Sequence, residues 1–166
     1  ASLQVTCNCI FVRDSTRLWY QKGLPGLANN FKDAGKVIGE LLDQLGAGQR
    51  MGAGSSAGGF AVLGWGRSLK LDHSLVFSPQ TSILPSDKIL KDTRWIKFVW
   101  KSWLQVDRTL DVAQGKYFSD QLSVRVIYPN AVKQDRYQAE RLAGFSGVSL
   151  DARQSDNHSI VRVLRD

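Results

Sequence analysis

A glycine-rich turn constrains this chain more than any other feature of its sequence. Residues 54–59 read Gly-Ser-Ser-Ala-Gly-Gly, which is a G-x-S-x-G pattern followed by one further glycine. Such a pattern forms a sharp turn between a strand and a helix, where glycines allow close approach and the central hydroxyl is exposed. The flanking residues fit, because residues 49–53 can form the strand and residues 57–69 the helix. The pattern predicts a nucleophilic serine at Ser56, although an ordinary strand–helix turn uses similar residues.

The order of the predicted elements indicates an α/β protein. The 166 residues are enough for one core, and no repeat or linker divides them, so we predict a single domain over residues 1–166. Strands are predicted at residues 3–12, 49–53, 74–78, 123–128 and 148–150, and helices at residues 29–45, 57–69, 86–106, 135–142 and 158–164. This alternation predicts a mainly parallel sheet covered by helices, with functional groups at the carboxyl ends of the strands.

The base that a nucleophilic serine requires must be one of only two histidines. His73 is predicted to lie at the amino end of a strand, which is the edge of the sheet away from Ser56. His158 follows the last predicted strand and therefore lies at the same edge as Ser56. We predict that His158 is the general base; the alternative is a surface histidine near the start of the last helix.

The acid that orients this histidine is predicted from the chain order Ser, acid, His, which serine hydrolases on open parallel sheets follow. Asp135 is the only carboxylate soon after the penultimate predicted strand. Asp135 and Gln138 also match a capping box for the next helix. Asp151 and Asp156 lie nearer to His158 in the chain and are the alternatives. The predicted triad is therefore completed by Asp135.

The oxyanion that forms during acyl transfer needs preorganised hydrogen-bond donors. The backbone N–H of Ala57, directly after the nucleophile, is the predicted first donor. The second is expected from the loop that follows the first predicted strand, where Ser15 and Thr16 are the candidates.

Aromatic side chains provide the candidate substrate-binding residues Trp19, Tyr20 and Trp100, since aromatic faces can stack on sugar rings. Trp19 and Tyr20 belong to the loop predicted after the first strand. Trp100 belongs to the unusually aromatic helix predicted at residues 86–106. That helix is interpreted either as a core helix or as a small lid over Ser56.

The net charge of +7 and the isoelectric point of about 9.6 are sufficient to attract an anionic partner. Part of the charge is spaced along one helical face, formed by Lys88, Lys91, Arg94, Lys97, Lys101 and Arg108. That face is either solvated or a site for an acidic polysaccharide, a membrane surface or nucleic acid. No motif of the common nucleic-acid-binding families and no membrane-spanning apolar run is present, so neither nucleic-acid binding nor a transmembrane segment is predicted.

The two cysteines, Cys7 and Cys9, are predicted to point to one face of the first strand as reduced core residues. No second Cys/His cluster completes a zinc site, and we predict neither a metal ion nor an organic cofactor. Reduced cysteines favour a reducing compartment, which leads to a prediction of cytoplasmic localisation.

Several blocks of the chain together resemble a bacterial α/β-hydrolase-like group whose members often accompany surface-polysaccharide or glycoprotein genes. The blocks lie at residues 8–14, 19–20, 23–26, 54–61, 76–81, 135–142 and 156–166. The resemblance implies a three-layer α/β-hydrolase-like fold, with Ser56 as nucleophile and His158 as base, and it supports Asp135. It also implies a chain that is short at its amino terminus. The sheet edge left open would be covered by a second copy or by another part of a longer protein.

These observations predict a serine esterase that works through an acyl-enzyme, acting on a small ester or an acylated glycan. A carbohydrate acetyl-esterase is the most natural form, by analogy of fold alone. Acyl transfer to another alcohol would use the same serine. The alternative from another class is a non-catalytic interaction module built on a hydrolase scaffold.

Overall fold

The computed structural model describes residues 7–83, 94, 107 and 110–163. Within them, the strands are β1 (Met51–Ser55), β2 (His73–Phe77), β3 (Ser123–Pro129) and β4 (Val148–Arg153). The α-helices are α1 (Phe31–Gln44), α2 (Ala57–Trp65), α3 (Lys133–Glu140) and α4 (Ile160–Val163), and a 3₁₀ turn spans Gly115–Tyr117. No helix in these ranges is both long and apolar enough to cross a membrane.

The four strands form one parallel sheet in the order β1-β2-β3-β4. Ser55 pairs with Phe77, and Phe77 pairs with Ile127, so the carboxyl ends of three neighbouring strands lie side by side. The prediction of an α/β protein with a parallel sheet is confirmed. Because parallel strands end at one edge, the loops after β1, β2 and β3 converge there.

The sequence predicted most elements well, with small shifts in their bounds. Helix α1 begins after Asn30, whose side-chain Oδ1 accepts a hydrogen bond from the backbone N–H of Asp33 at 2.9 Å, as expected of an N-cap. Helix α2 ends at Trp65, earlier than predicted, and α4 begins at Ile160 rather than at His158. The helix predicted at residues 86–106 lies outside the described residues, apart from Arg94.

The predicted first strand is wrong over residues 7–12, which pair with none of the described strands. The interpretation of Cys7 and Cys9 as core residues is also wrong: both are exposed, with their Sγ atoms 3.6 Å apart. Phe11 is 94% exposed. An apolar, β-branched run creates a strand only where a neighbour supplies backbone hydrogen bonds, and within the described chain no neighbour does so.

The core packs α2 against both the sheet and α1. Phe60 and Leu63 of α2 are fully buried together with Val76 of β2 and Val124 of β3. On the side of α1, the indole N–H of Trp65 donates to the Phe31 carbonyl at 2.8 Å, and the two rings lie 5.0 Å apart. These contacts fix the start of α2, where the glycine-rich turn lies, against the end of β1.

Candidate active site

The glycine-rich turn holds Ser56 in a strained backbone conformation between β1 and α2. Ser56 has φ 54° and ψ −116°, a region that residues other than glycine rarely adopt. Its N–H donates to the Phe77 carbonyl at 2.9 Å, which ties the turn to the end of β2. A Cβ on Gly54 would lie 2.4 Å from the backbone carbon and oxygen of Gly58, so the turn requires glycine at position 54. The sharp strand–helix turn that the sequence predicts at Ser56 is therefore present.

The His158 imidazole lies within hydrogen-bond distance of the Ser56 hydroxyl, at 3.1 Å between Nε2 and Oγ. Its other nitrogen, Nδ1, lies 2.9 Å and 2.8 Å from the two carboxylate oxygens of Asp135. A carboxylate accepts, so Nδ1 carries the proton and Nε2 is left to accept from the serine. The Ser78 hydroxyl donates to the His158 carbonyl at 2.8 Å and fixes the backbone of the loop that carries the imidazole.

Asp135 is fully buried in the first turn of α3. The N-cap of that helix is Val132, so Asp135 does not cap it, and its carboxylate faces His158 instead. The alternative acids lie elsewhere: Asp151 pairs with arginines on the sheet, and Asp156 is exposed.

Arg94 adds a cation to this group of residues. Its Nη2 donates to Asp135 Oδ1 at 2.7 Å. Its Nη1 lies 3.1 Å from His158 Nδ1, but a guanidinium cannot accept, so this approach to a protonated Nδ1 is not a hydrogen bond. The predicted basic face treats Arg94 as solvent-facing, whereas its side chain is 24% exposed and pairs with the buried carboxylate. The other residues of that predicted face, Lys88, Lys91, Lys97, Lys101 and Arg108, lie outside the described part of the chain.

Gln80 contacts Ser56, and no role for it was predicted from the sequence. Its side chain is 1% exposed, and its Oε1 lies 3.1 Å from Trp19 Nε1. An indole nitrogen can only donate, so this contact fixes Oε1 toward Trp19 and leaves Nε2 facing Ser56 Oγ at 2.9 Å. Ser56 Oγ thus accepts from Gln80 Nε2, and its own proton has two acceptors within reach, His158 Nε2 and Gln80 Oε1, each at 3.1 Å. The available signal was the position of Gln80 directly after β2, at the edge where the candidate site residues meet.

A second buried glutamine, Gln138 of α3, holds the loop that carries Gln80. Its Oε1 accepts from the Thr81 N–H at 2.8 Å, the Thr81 hydroxyl at 2.7 Å and the Ser82 N–H at 3.2 Å. Its Nε2 donates to the Ser82 carbonyl at 3.1 Å. Gln138 was expected in a capping box with Asp135; its amide instead satisfies the polar backbone of a buried loop.

The predicted oxyanion donors have different positions in the structure. Ala57 lines the pocket beside Ser56, at the start of α2, where helical N–H groups have no partner within the helix. Neither Ser15 nor Thr16 lines that pocket. Both donors of Thr16 are used by Asp14 Oδ1, its N–H at 2.9 Å and its hydroxyl at 2.6 Å. Thr16 therefore has its donors engaged within its own loop, and Ser15 is exposed outside the pocket.

A pocket of about 460 Å³ opens in front of Ser56. It is lined by Arg13, Asp14, Arg17, Trp19, Tyr20, Ser56, Ala57 and Gln80. The predicted substrate-binding residues Trp19 and Tyr20 are among them, whereas Trp100 lies outside the described residues. Burial raises the pKa of the Tyr20 phenol, with a further contribution from the Asp14 carboxylate, so this hydroxyl stays protonated and donates to the Val12 carbonyl at 3.1 Å.

Among the described residues, no cluster of three or more His, Cys, Asp or Glu side chains could hold a metal ion. Comparison of the chain with protein-family models found no match. Comparisons with curated proteins and with solved structures likewise found none. The interpretation of the site therefore depends on its own geometry.

Proposed function

We propose that this protein is a serine hydrolase that cleaves an ester through an acyl-enzyme. The observation that carries the proposal is the hydrogen-bonded series from Ser56 Oγ to His158 Nε2 at 3.1 Å and from His158 Nδ1 to the buried Asp135 carboxylate at 2.8 Å. A nucleophile, a base and an orienting acid in this arrangement define the chemistry of a serine hydrolase. The strained backbone of Ser56 is a second support, since strain of this kind concentrates at functional sites.

In the acylation step, Ser56 Oγ attacks the ester carbonyl carbon while His158 Nε2 takes the hydroxyl proton. The carbonyl oxygen becomes an oxyanion on a tetrahedral carbon. When that intermediate collapses, the bond to the alkoxide breaks, and His158 returns the proton to the leaving alcohol. Asp135 keeps the imidazole oriented and stabilises its charged form. The acyl group is left on Ser56.

In the deacylation step, a water molecule takes the place of the leaving alcohol. His158 Nε2 accepts a proton from that water as its oxygen attacks the acyl carbon. Collapse of the second tetrahedral intermediate releases the acid and returns the proton to Ser56 Oγ. An alcohol in place of water would give acyl transfer by the same steps.

We assign Gln80 as the second oxyanion donor beside the N–H of Ala57. Its Nε2 lies 2.9 Å from Ser56 Oγ and is held there by the contact with Trp19. The oxyanion and Ser56 Oγ share one carbon in the tetrahedral intermediate, so a donor fixed beside Oγ is close to both oxygens. A donor that does not reorganise during the reaction is the kind that stabilises this charge best.

The test is covalent labelling with a fluorophosphonate, which reacts only with an activated serine, read by intact mass. We expect a single adduct on the wild-type protein and none on Ser56→Ala or His158→Ala. Ser55→Ala is the matched control, because Ser55 is exposed at the end of β1 and is expected to leave labelling unchanged. A screen of acetyl and longer esters follows, with a carbohydrate acetate as the first substrate by analogy of fold.

Two results would contradict the proposal. One is an absence of labelling on wild-type protein that circular dichroism shows to be folded; that result would favour a non-catalytic interaction module. The other is an adduct that persists in Ser56→Ala, which would place the reactive group elsewhere.

A further inference from the structure

We propose that the ester cleaved at Ser56 carries an anionic group, a carboxylate or a phosphate, which Arg13 and Arg17 bind at the mouth of the pocket. This inference rests on the proposed function and adds the class of substrate to it. Both arginines line the pocket together with Ser56.

The two guanidinium groups are available for a ligand. Both arginines are exposed, and no carboxylate of the described residues lies within ion-pair distance of either. Several other arginines of the described chain pair with acids, as Arg94 does with Asp135 and Arg141 with Asp111, whereas the unpaired Arg67 does not line the pocket. The pocket thus presents two cations without a described protein counter-ion.

The one carboxylate in the pocket wall, Asp14, is already used by its own loop. Its Oδ1 accepts from the N–H and the hydroxyl of Thr16, at 2.9 Å and 2.6 Å. Its Oδ2 accepts from the Tyr20 N–H at 2.9 Å. These bonds hold the Asp14 carboxylate within its own loop. Arg13 and Arg17 are therefore the charged groups of the pocket that can donate to a substrate.

The loop that carries the arginines is held in a defined shape. Arg17, Trp19 and Tyr20 have φ of 57°, 53° and 60°, values that persist only where the surroundings enforce them. Trp19 and Tyr20 are buried, and the Trp19 indole donates to Gln80, which in turn contacts Ser56. The positions of Arg13 and Arg17 are therefore linked through packed residues to the nucleophile.

Arginine pairs recognise carboxylate and phosphate oxygens by parallel N–H donors, and they bind a neutral ester group far less well. A net charge of +7 would also draw an anionic ester toward the protein. An anion at the pocket mouth would orient the ester without entering the bond-making steps. The expected contribution is therefore to KM more than to kcat.

The experiment compares esters of similar shape that carry or lack a negative charge. The first pair is 4-acetoxybenzoate and its neutral methyl ester, with the anion on the alcohol side. The second pair is 4-nitrophenyl hemisuccinate and 4-nitrophenyl valerate, with the anion on the acyl side. A phosphate, 4-acetoxyphenyl phosphate, separates the two kinds of anion. We expect kcat/KM for the anionic member of at least one pair to exceed that of its neutral partner by about tenfold or more, the ratio that one charge-assisted hydrogen bond supplies.

The double variant Arg13→Gln, Arg17→Gln should abolish this preference by raising KM for the anionic ester. Arg67→Gln is the control for loss of charge, since Arg67 is exposed beyond the far end of α2 and does not line the pocket. Equal kcat/KM within every pair, or a preference that survives in the double variant, would overturn the proposal.

Calorimetric titration of Ser56→Ala keeps this test separate from that of the hydrolase activity. In this variant, 4-acetoxybenzoate should bind at least about tenfold more tightly than its methyl ester, and the double arginine substitution should remove the difference. Anion binding without turnover in the wild type would support the anion site at Arg13 and Arg17 and reject the hydrolase. Fluorophosphonate labelling of Ser56 with no anion preference in either measurement would support the hydrolase and reject the anion site.

Discussion

At the scale of single residues, the site depends on polar side chains whose orientation is held by hydrogen bonds. Gln80 can be tested without disturbing its contact with Trp19, because glutamate keeps an oxygen for the indole N–H and replaces the amide donor that faces Ser56. We expect Gln80→Glu to lower kcat by about 10²–10³-fold, the loss measured when one oxyanion donor is removed, with little change in KM. Steady-state kinetics on an acetyl ester provide the measurement.

Ser15→Ala serves as the control for that experiment, because Ser15 was the competing candidate donor and lies outside the pocket. Its kcat should match that of the wild type. A normal kcat in Gln80→Glu, or an equal loss in Ser15→Ala, would remove Gln80 from the role assigned to it. Urea unfolding of both variants shows whether a loss of activity reflects a loss of stability.

Several of the candidate site residues were predictable, because their positions follow from strand order. Ser56, Asp135 and His158 follow β1, β3 and β4 along the chain, and a parallel sheet brings such residues to one edge. Gln80 follows β2 at the same edge and lies in the resemblance block at residues 76–81, but an amide is neither a base nor a nucleophile, so no role was predicted for it. The use of Thr16 by Asp14 was not predictable, since turn hydrogen bonds depend on the φ and ψ of the loop.

At the scale of secondary-structure elements, the contact between the end of β1 and the start of α2 decides whether the nucleophile turn forms. A Cβ at position 54 would meet the backbone of Gly58 at 2.4 Å and the nitrogen of Gly59 at 2.8 Å, and backbone atoms cannot rotate away. We expect Gly54→Ala to lower the free energy of unfolding by about 1–3 kcal/mol, the usual cost of overpacking, and to abolish labelling of Ser56. Urea unfolding and intact mass provide the two measurements.

Gly58→Ala is the matched control, because the same methyl group at position 58 would have no atom within 4 Å. An alanine there should leave labelling intact and stabilise α2 by up to about 1 kcal/mol, since glycine is unfavourable within a helix. Equal behaviour of the two variants would show that close packing at position 54 is not what holds the turn.

The predicted first strand shows where prediction of elements fails. The strands that were predicted correctly, such as β2 and β3, have a buried face and a neighbour on each side. Residues 7–12 have a similar apolar and β-branched composition, but none of the described strands pairs with them. Composition reports the local preference for a strand, whereas the hydrogen bonds that make one come from elsewhere in the chain.

At the scale of the whole molecule, two carboxylates join separate parts of a strongly basic protein. Asp43, in the last turn of α1, pairs with Arg50 before β1 and Lys70 before β2. Asp151 of β4 pairs with Arg125 of β3 and with Arg153. Hydrogen bonds from Arg50 and Lys70 lower the pKa of Asp43, and the hydrogen bond from Arg125 is the largest cause of the lowered pKa of Asp151. Each carboxylate therefore binds its proton less readily in the folded state than in the unfolded chain.

This difference fixes the direction of the pH dependence. A carboxyl group whose pKa is lower in the folded state contributes stability that is fully present above its pKa in the unfolded chain, near 3.8. This stability is lost as the pH falls through the pKa of the folded state. In a chain of net charge +7, protonating these acids also leaves their arginines and lysine to repel one another. We expect the urea midpoint of the wild type to fall steeply below about pH 4. The urea midpoint of the double variant Asp43→Asn, Asp151→Asn should be lower at pH 7 and should fall less as the pH is lowered. Because both carboxylates are at least partly exposed to solvent, added salt should reduce the difference between the two proteins at pH 7. Parallel pH profiles would show that these ion pairs do not contribute to acid sensitivity.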